Sequence, residues 1–388
     1  MPQPLPAEVL QVILQAYSTI VSPAELAALA TVSHSFRTLV RRQLHTHVEI
    51  RSSTSAKQLL DRIARDPALA SQAQSLTVSR GTRQRLQTAG KSRKKAQQWV
   101  EDSVAEEDIV KLCGRMQNLG AVHLREPAFA TLRRRQIAFL AGLSSLRTLS
   151  ISGRPSSPFN LHTVGQILLT LPNLQNLGLR HLRCYPDAFD ALASPSCNLI
   201  SFALFSTPDI TPKQLAWLLS STTEGESLRF LAFDILPSCH PSLLNAVKWA
   251  PVRATSIACT SSQPKAIEDL PLHCPSLRQF TFRASSALSP ATLLTACNTF
   301  STVVDLVDRS PAGMGLAPRM LAEALLLRAE RRIERISLAL GKRDEGGFPA
   351  LKAVCRSLGI TLALGSIEES ADEPCVLEPF DALGPVQL

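Results

Sequence analysis

Leu171-Pro172-Asn173-Leu174-Gln175-Asn176-Leu177-Gly178-Leu179 carries a short template: a leading leucine, two residues, an apolar residue, one residue, another apolar residue. The last two apolar positions alternate with polar or small ones, so they share one face of a β-strand. The template recurs at Leu119/Val122/Leu124, Leu146/Leu149/Ile151, Leu199/Phe202/Leu204, Leu228/Leu231/Phe233, Leu277/Phe280/Phe282 and Ile333/Ile336/Leu338. Weaker copies stand at Leu76/Val78, Val252/Thr255/Ile257, Val304/Leu306 and Ile360/Leu362/Leu364. From Leu124 onward the last apolar positions follow one another at 24 to 29 residues, with a single gap of 32. A period of that size marks stacked supersecondary units that bury a continuous core between neighbours.

Helix signals fill the intervals. Thr211-Pro212-Lys213-Gln214 combines a capping box with proline at the first helical position, ahead of Leu215, Leu218 and Leu219. Ser289-Pro290 opens Leu293-Leu294, and Pro318 opens a pattern running to Arg331. Each unit therefore reads as strand, loop, helix and return. Period and template together resemble leucine-rich repeats. The copies lack the asparagine that many such repeats carry three residues after the last leucine; Arg154, Leu182, Thr207, Leu236, Thr260 and Ser285 stand there.

The N-terminus has a different, helical periodicity. Leu5-Pro6-Ala7-Glu8-Val9-Leu10 leads to Ile13-Leu14, and Val9, Leu10, Ile13 and Leu14 fall on one face of a 3.6-residue period. Ser22-Pro23-Ala24-Glu25 is a helix start, continued by Leu26, Leu29 and Ala30. A third helix follows through Val32-Ser33-His34-Ser35-Phe36-Arg37, with Phe36, Leu39 and Val40 inward. This order of motifs resembles an F-box. The resemblance implies a three-helix module that grips a Skp-type adaptor through Leu5, Pro6, Glu8, Val9, Ile13, Leu26, Val32, Ser33 and Phe36. Many family members carry Cys and an aromatic such as Trp where this chain has Ser33 and Phe36. The plainer reading of the same helices is a cap sealing the first repeat.

The expected fold is thus an α/β solenoid. An F-box-like module at 1–48 precedes an irregular leucine-rich-repeat horseshoe of about ten repeats at 49–365, and an acidic, disordered tail spans 366–388. The implied function is target recognition in a Skp–cullin–F-box ubiquitin ligase, with the cullin core contacted indirectly and a protein target held by the repeats. The alternative is a repeat scaffold outside any ligase.

Alternation assigns the residues between ladder positions to the target-facing side. Arg125, Arg180, Phe205, Phe230, Asp234, Arg283 and Arg335 are the target-binding candidates, and the four arginines suit an acidic or phosphorylated segment.

Composition excludes other classes. Hydrophobic content is 45% and aromatic content only 5%, which suits a leucine-built array better than a large enzymatic pocket. The net charge of +9 is concentrated: residues 80–98 hold seven basic residues and no acid. That segment reads as a polar, mobile insertion. It has no interleaved aromatics for base stacking, so nucleic acid is not an expected partner.

Nine cysteines show no C-x-x-C pair, so neither a disulfide framework nor a zinc site is expected. No G-x-S-x-G, H-E-x-x-H or P-loop motif occurs, and the chain is not expected to be an enzyme or to carry a cofactor or metal. His45-Thr46-His47 puts two imidazoles on opposite sides of an extended segment, a poor chelate. Neither a signal peptide nor a membrane span is evident, which places the chain in the cytoplasm, the nucleus or both.

Overall fold

A computed structural model describes residues 45–79, 104–125, 142–153, 159–184, 193–207, 209–220, 228–235, 252–259, 276–284, 304–310, 312–327 and 333–365, with isolated positions 9, 28, 31, 37, 39, 40, 84, 85, 99, 100 and 288. The tail at 366–388 and most of the segments 1–44 and 80–98 lie outside these residues. The fold is mixed α/β with parallel strand pairing. Two compact units divide it: Met1–Phe159 with Thr170–Leu174, and Asn160–Leu169 with Gln175–Leu388.

In the first unit four strands pair in chain order, all parallel: β1 (His47–Ile50), β2 (Ser75–Val78), β3 (Ala121–Arg125) and β4 (Thr148–Ser152). Helices α1 (Ser53–Arg65), α2 (Ala68–Gln72) and α3 (Glu106–Arg115) fill the returns, and α1 packs on α3. The register aligns Ile50, Val78, Leu124 and Ile151 in one row, all buried. Like stacks on like about 4.8 Å apart, so each apolar side chain is covered by its neighbours in the row.

The second unit continues the same logic in eight parallel strands: β5 (Asn176–Arg180), β6 (Ser201–Phe205), β7 (Phe230–Ile235), β8 (Ala254–Cys259), β9 (Gln279–Ala284), β10 (Asp305–Asp308), β11 (Arg335–Ala339) and β12 (Thr361–Gly365). Among the described residues its α-helices are α4 (Leu161–Leu168), α5 (Pro212–Leu218), α6 (Pro318–Leu327) and α7 (Phe348–Leu358). One row runs from Leu177 through Phe202, Leu231, Thr255, Phe280 and Leu306 to Ile336, and its six apolar side chains are buried. Each such side chain contributes roughly 1.5–3 kcal/mol by leaving water. Repeated strand-and-helix units of this kind are compatible with a solenoid-like stack.

A recurring backbone device sets the rung spacing. One carbonyl just ahead of a strand accepts from two successive amides of the next unit: Gly120 and Ala121 donate to Gln74, Ile200 and Ser201 to Gln175, and Arg278 and Gln279 to Arg253. The leading leucine lies immediately before this point and is buried at Leu119, Leu146, Leu174, Leu199, Leu228 and Leu277.

In the first unit a polar residue next to it ties successive units. Asn118 Nδ2 donates to the Ser71 carbonyl at 3.0 Å, Ser145 Oγ to the Gln117 carbonyl at 3.0 Å, and Asn173 Nδ2 to the Ser144 carbonyl at 2.8 Å. The asparagine ladder sought after the last leucine therefore has a counterpart before the first one.

Two rungs depart from the sequence reading. β1 is an additional rung: its leading position is His45 instead of leucine, which hides it from the template. The Val304/Leu306 copy is displaced by two residues. Leu306 pairs in register with Phe280, and the rung equivalent to Phe282 is Asp308, a carboxylate at an apolar position.

Helix α5 begins as its sequence dictates. Thr211 Oγ1 accepts from the Gln214 amide at 3.3 Å, and Gln214 Oε1 accepts from the Thr211 amide at 2.9 Å. Thr211→Ala is expected to lower stability by about 1 kcal/mol, seen as an earlier urea midpoint at unchanged m-value.

Candidate functional site

On every strand the residues between ladder positions form a second face. The register sorts that face of the second unit into rows. One row contains Asn176, Ser201, Phe230, Ala254, Gln279, Asp305, Arg335 and Thr361. Four residues further along the strands stand Arg180, Phe205, Asp234, Ala258 and Arg283. Arg335 is thus offset from the Arg180 and Arg283 row by about 13 Å along the strand direction. Arg180 and Arg283 are themselves four strands apart, roughly 19 Å. These three arginines do not converge on a single anion.

Arg335 is also already engaged. Its Nε and Nη2 donate to Asp305 Oδ1 and Oδ2 at 3.0 and 2.6 Å across β10 and β11. Asp305 holds the guanidinium pKa above its usual value through these bonds and its charge. The pair is part-exposed, 49% and 21%, so it adds little stability. It does occupy two of the donors that a target would need. Phe205 and Phe230 are half-buried; Asp234 and Arg283 are placed by backbone register, and their side chains lie outside the described part.

The expectation that this face turns fully outward needs correction. Ser150 and Ser152 are only 8% exposed, and Ala203, Ala232 and Thr281 are buried as well. Small side chains in a row about 4.8 Å from their neighbours are shaded by anything longer beside them. Alternation assigns a face, while neighbour size decides how much of it meets water.

In the first unit the second face gathers a polar cluster. Glu49, Thr77, His123 and Ser150 share one row, and Arg125 and Ser152 pair in the next. Arg51 Nε and Nη2 donate to Glu49 Oε1 and Oε2, both at 2.9 Å, and Ser79 Oγ donates to Glu49 Oε1 at 2.8 Å. Burial alone would raise the Glu49 carboxyl. Those hydrogen bonds, with the Arg51 and Arg125 charges, outweigh burial and hold it below the usual value.

His47 Nδ1 lies 2.8 Å from Ser75 Oγ, and burial lowers the His47 pKa. His123 is pushed down to about 4, chiefly by burial, then by the Arg125 charge and by His47. Its imidazole is therefore neutral at ordinary pH. Sequence reading singled out Arg125 here but missed Glu49, Arg51 and Ser79, because β1 was not seen as a rung.

Of the adaptor-binding residues read from sequence, only Val9 lies among the described positions; it is helical and 42% exposed. Leu5, Pro6, Glu8, Ile13, Leu26, Val32, Ser33 and Phe36 lie outside them. In the third expected helix Val40 is buried, Leu39 half-buried and Arg37 exposed.

Among the described residues no group of three His, Cys, Asp or Glu is arranged to hold a metal ion. No helix there is long and apolar enough to cross a membrane. Cys113 and Cys184 are buried, and burial raises both thiols to about 12, so neither offers a thiolate at neutral pH.

No family model matches the chain, and no curated protein matches it. Among solved structures it is similar to a chain of the "Crystal structure of Rad7 and Elc1 complex in yeast", at 13% sequence identity and a TM-score of 0.49, over 93% of this chain and 88% of that chain.

Proposed function

We propose that this chain is the target-recognition subunit of a Skp–cullin–F-box ubiquitin ligase. The observation that carries the reading is the N-terminal pattern: Leu5-Pro6-x-Glu8, the paired aliphatics through Ile13-Leu14, and Val32-Ser33-x-x-Phe36-Arg37. The residues of that pattern would bind the Skp-type adaptor, and the parallel rungs would hold a protein target. No step of chemistry is assigned to the chain itself. Tethering raises the effective concentration of target lysines beside the enzyme that carries ubiquitin. This role needs neither cofactor nor metal, and it suits a cytoplasmic or nuclear protein.

Affinity capture with the full chain tests the reading. The wild type is expected to recover the Skp adaptor, and a Leu5→Ala, Pro6→Ala, Ile13→Asp variant is expected to lose it. Absence of the adaptor from the wild-type capture would overturn the ligase assignment. It would leave a repeat scaffold that acts outside any ligase.

A further inference from the structure

We propose that the cluster of Glu49, Arg51, His123 and Arg125 is a carboxylate-binding site, built to receive an Asp or Glu side chain from an acidic protein segment. The inference deepens the target-binding half of the reading above and rests on that half alone.

Among the described residues two buried nitrogens of this cluster lack a hydrogen-bond partner: Arg125 Nε, a donor, and His123 Nδ1, which donates when the neutral ring carries its proton there. Such atoms are rare in folded proteins, because each forfeits its hydration without replacement. The two residues are i and i+2 on β3, so their side chains leave the same face. The carboxylate already present does not serve them. Glu49 takes two bonds from Arg51 and one from Ser79, and it acts on Arg125 through charge alone. A second carboxylate brings two further oxygens with about four lone-pair directions. It is a small group able to meet a guanidinium and a neighbouring imidazole together.

Charge selects the ligand. Arg125 and His47 act on His123 through charge, and Arg125 also acts on Glu49, to which Arg51 is bound. Both imidazoles have lowered pKa values, so the cluster holds Arg51 and Arg125 against Glu49, a net single positive charge. One carboxylate balances it. A phosphate dianion would leave an excess negative charge beside Glu49 in a partly desolvated place, where repulsion is strong. The adjoining positions in register are Ser150 and Ser152, both short and uncharged.

The test uses the full chain with isotopically labelled histidine, observed by NMR. His123→Gln assigns the His123 ring. The probe is a capped peptide of glycine and glutamate, compared with the same peptide carrying glutamine and with one carrying phosphoserine. The glutamate peptide is expected to shift the His123 resonances saturably and to raise the ring pKa from about 4. Arg125→Gln is expected to weaken binding by about 10-fold or more, and Arg125→Lys to restore only part of it, since a point charge replaces a fork.

Equal shifts from the glutamine peptide, or none from the glutamate peptide, would overturn the site. Tighter binding of phosphoserine than glutamate would overturn its assignment to carboxylates. If Arg125→Gln fails to fold, the Lys variant and the peptide comparison decide. Skp capture, read on the same samples, reports on the adaptor half independently.

Discussion

Asp308→Ala is expected to destabilise the second unit by about 3–5 kcal/mol, a large fraction of what holds an ordinary domain together. Asp308 stands on an apolar rung, with neither side chain of its ion pair exposed to solvent: Lys342 Nζ approaches Asp308 Oδ2 at 2.9 Å. The carboxylate also accepts from the Ser310 amide at 2.8 Å and the Leu316 amide at 2.9 Å. Lys342 Nζ donates in addition to the Met314 and Leu316 carbonyls.

Truncating Asp308 leaves an ammonium without its counter-charge and two amides without an acceptor, all in a place closed to water. Lys342→Ala should be comparably damaging, for the converse reason. Replacing both, Asp308→Leu with Lys342→Met, removes the two charges together and should recover most of the loss, as buried pairs often allow. The checks are the denaturation midpoint and hydrogen exchange at the Ser310 and Leu316 amides, which should speed up in both single variants. An unchanged midpoint in Asp308→Ala would sink the account.

That pair also shows where sequence reading stops. The strong rungs were legible because leucine, phenylalanine and isoleucine recur at fixed offsets, and Thr211-Pro212 announced α5 by cap chemistry local to four residues. Asp308 was not legible, since the residue that makes a carboxylate tolerable on an apolar rung lies in a later segment. His45, in the leading position ahead of β1, hid a whole rung, and with it Glu49 and Arg51.

Arg335 looked available because its acceptor, Asp305, is set by register between strands and not by adjacency in the chain. Alternation separates the two faces of each strand, but the shading of the second depends on side chains one strand away. Local chemistry could be read in advance; pairings fixed by register could not.

Gly347→Ala is expected to cost about 2–5 kcal/mol, from two separable terms. Gly347 precedes α7 with φ at +94°, a backbone state that costs an L-residue roughly 1–2 kcal/mol. A Cβ there would also stand 2.5 Å from Arg319 Cβ and 2.8 Å from the Arg319 Cα and amide nitrogen. The latter two are backbone atoms at the start of α6, which packs on α7, so no rotamer change relieves the clash. Overpacking of this kind adds about 1–3 kcal/mol.

Two neighbouring glycines separate the terms. Gly313 has φ at +75° but open space around a Cβ, so Gly313→Ala should show the dihedral cost alone. Gly346 has neither constraint, and Gly346→Ala should change stability by no more than about 0.5 kcal/mol. Unfolding midpoints should therefore fall in the order Gly346→Ala, Gly313→Ala, Gly347→Ala. Equal losses at Gly313 and Gly347 would mean that α6 yields to the added methyl, and that the close approach of the two helix starts does not fix how they pack.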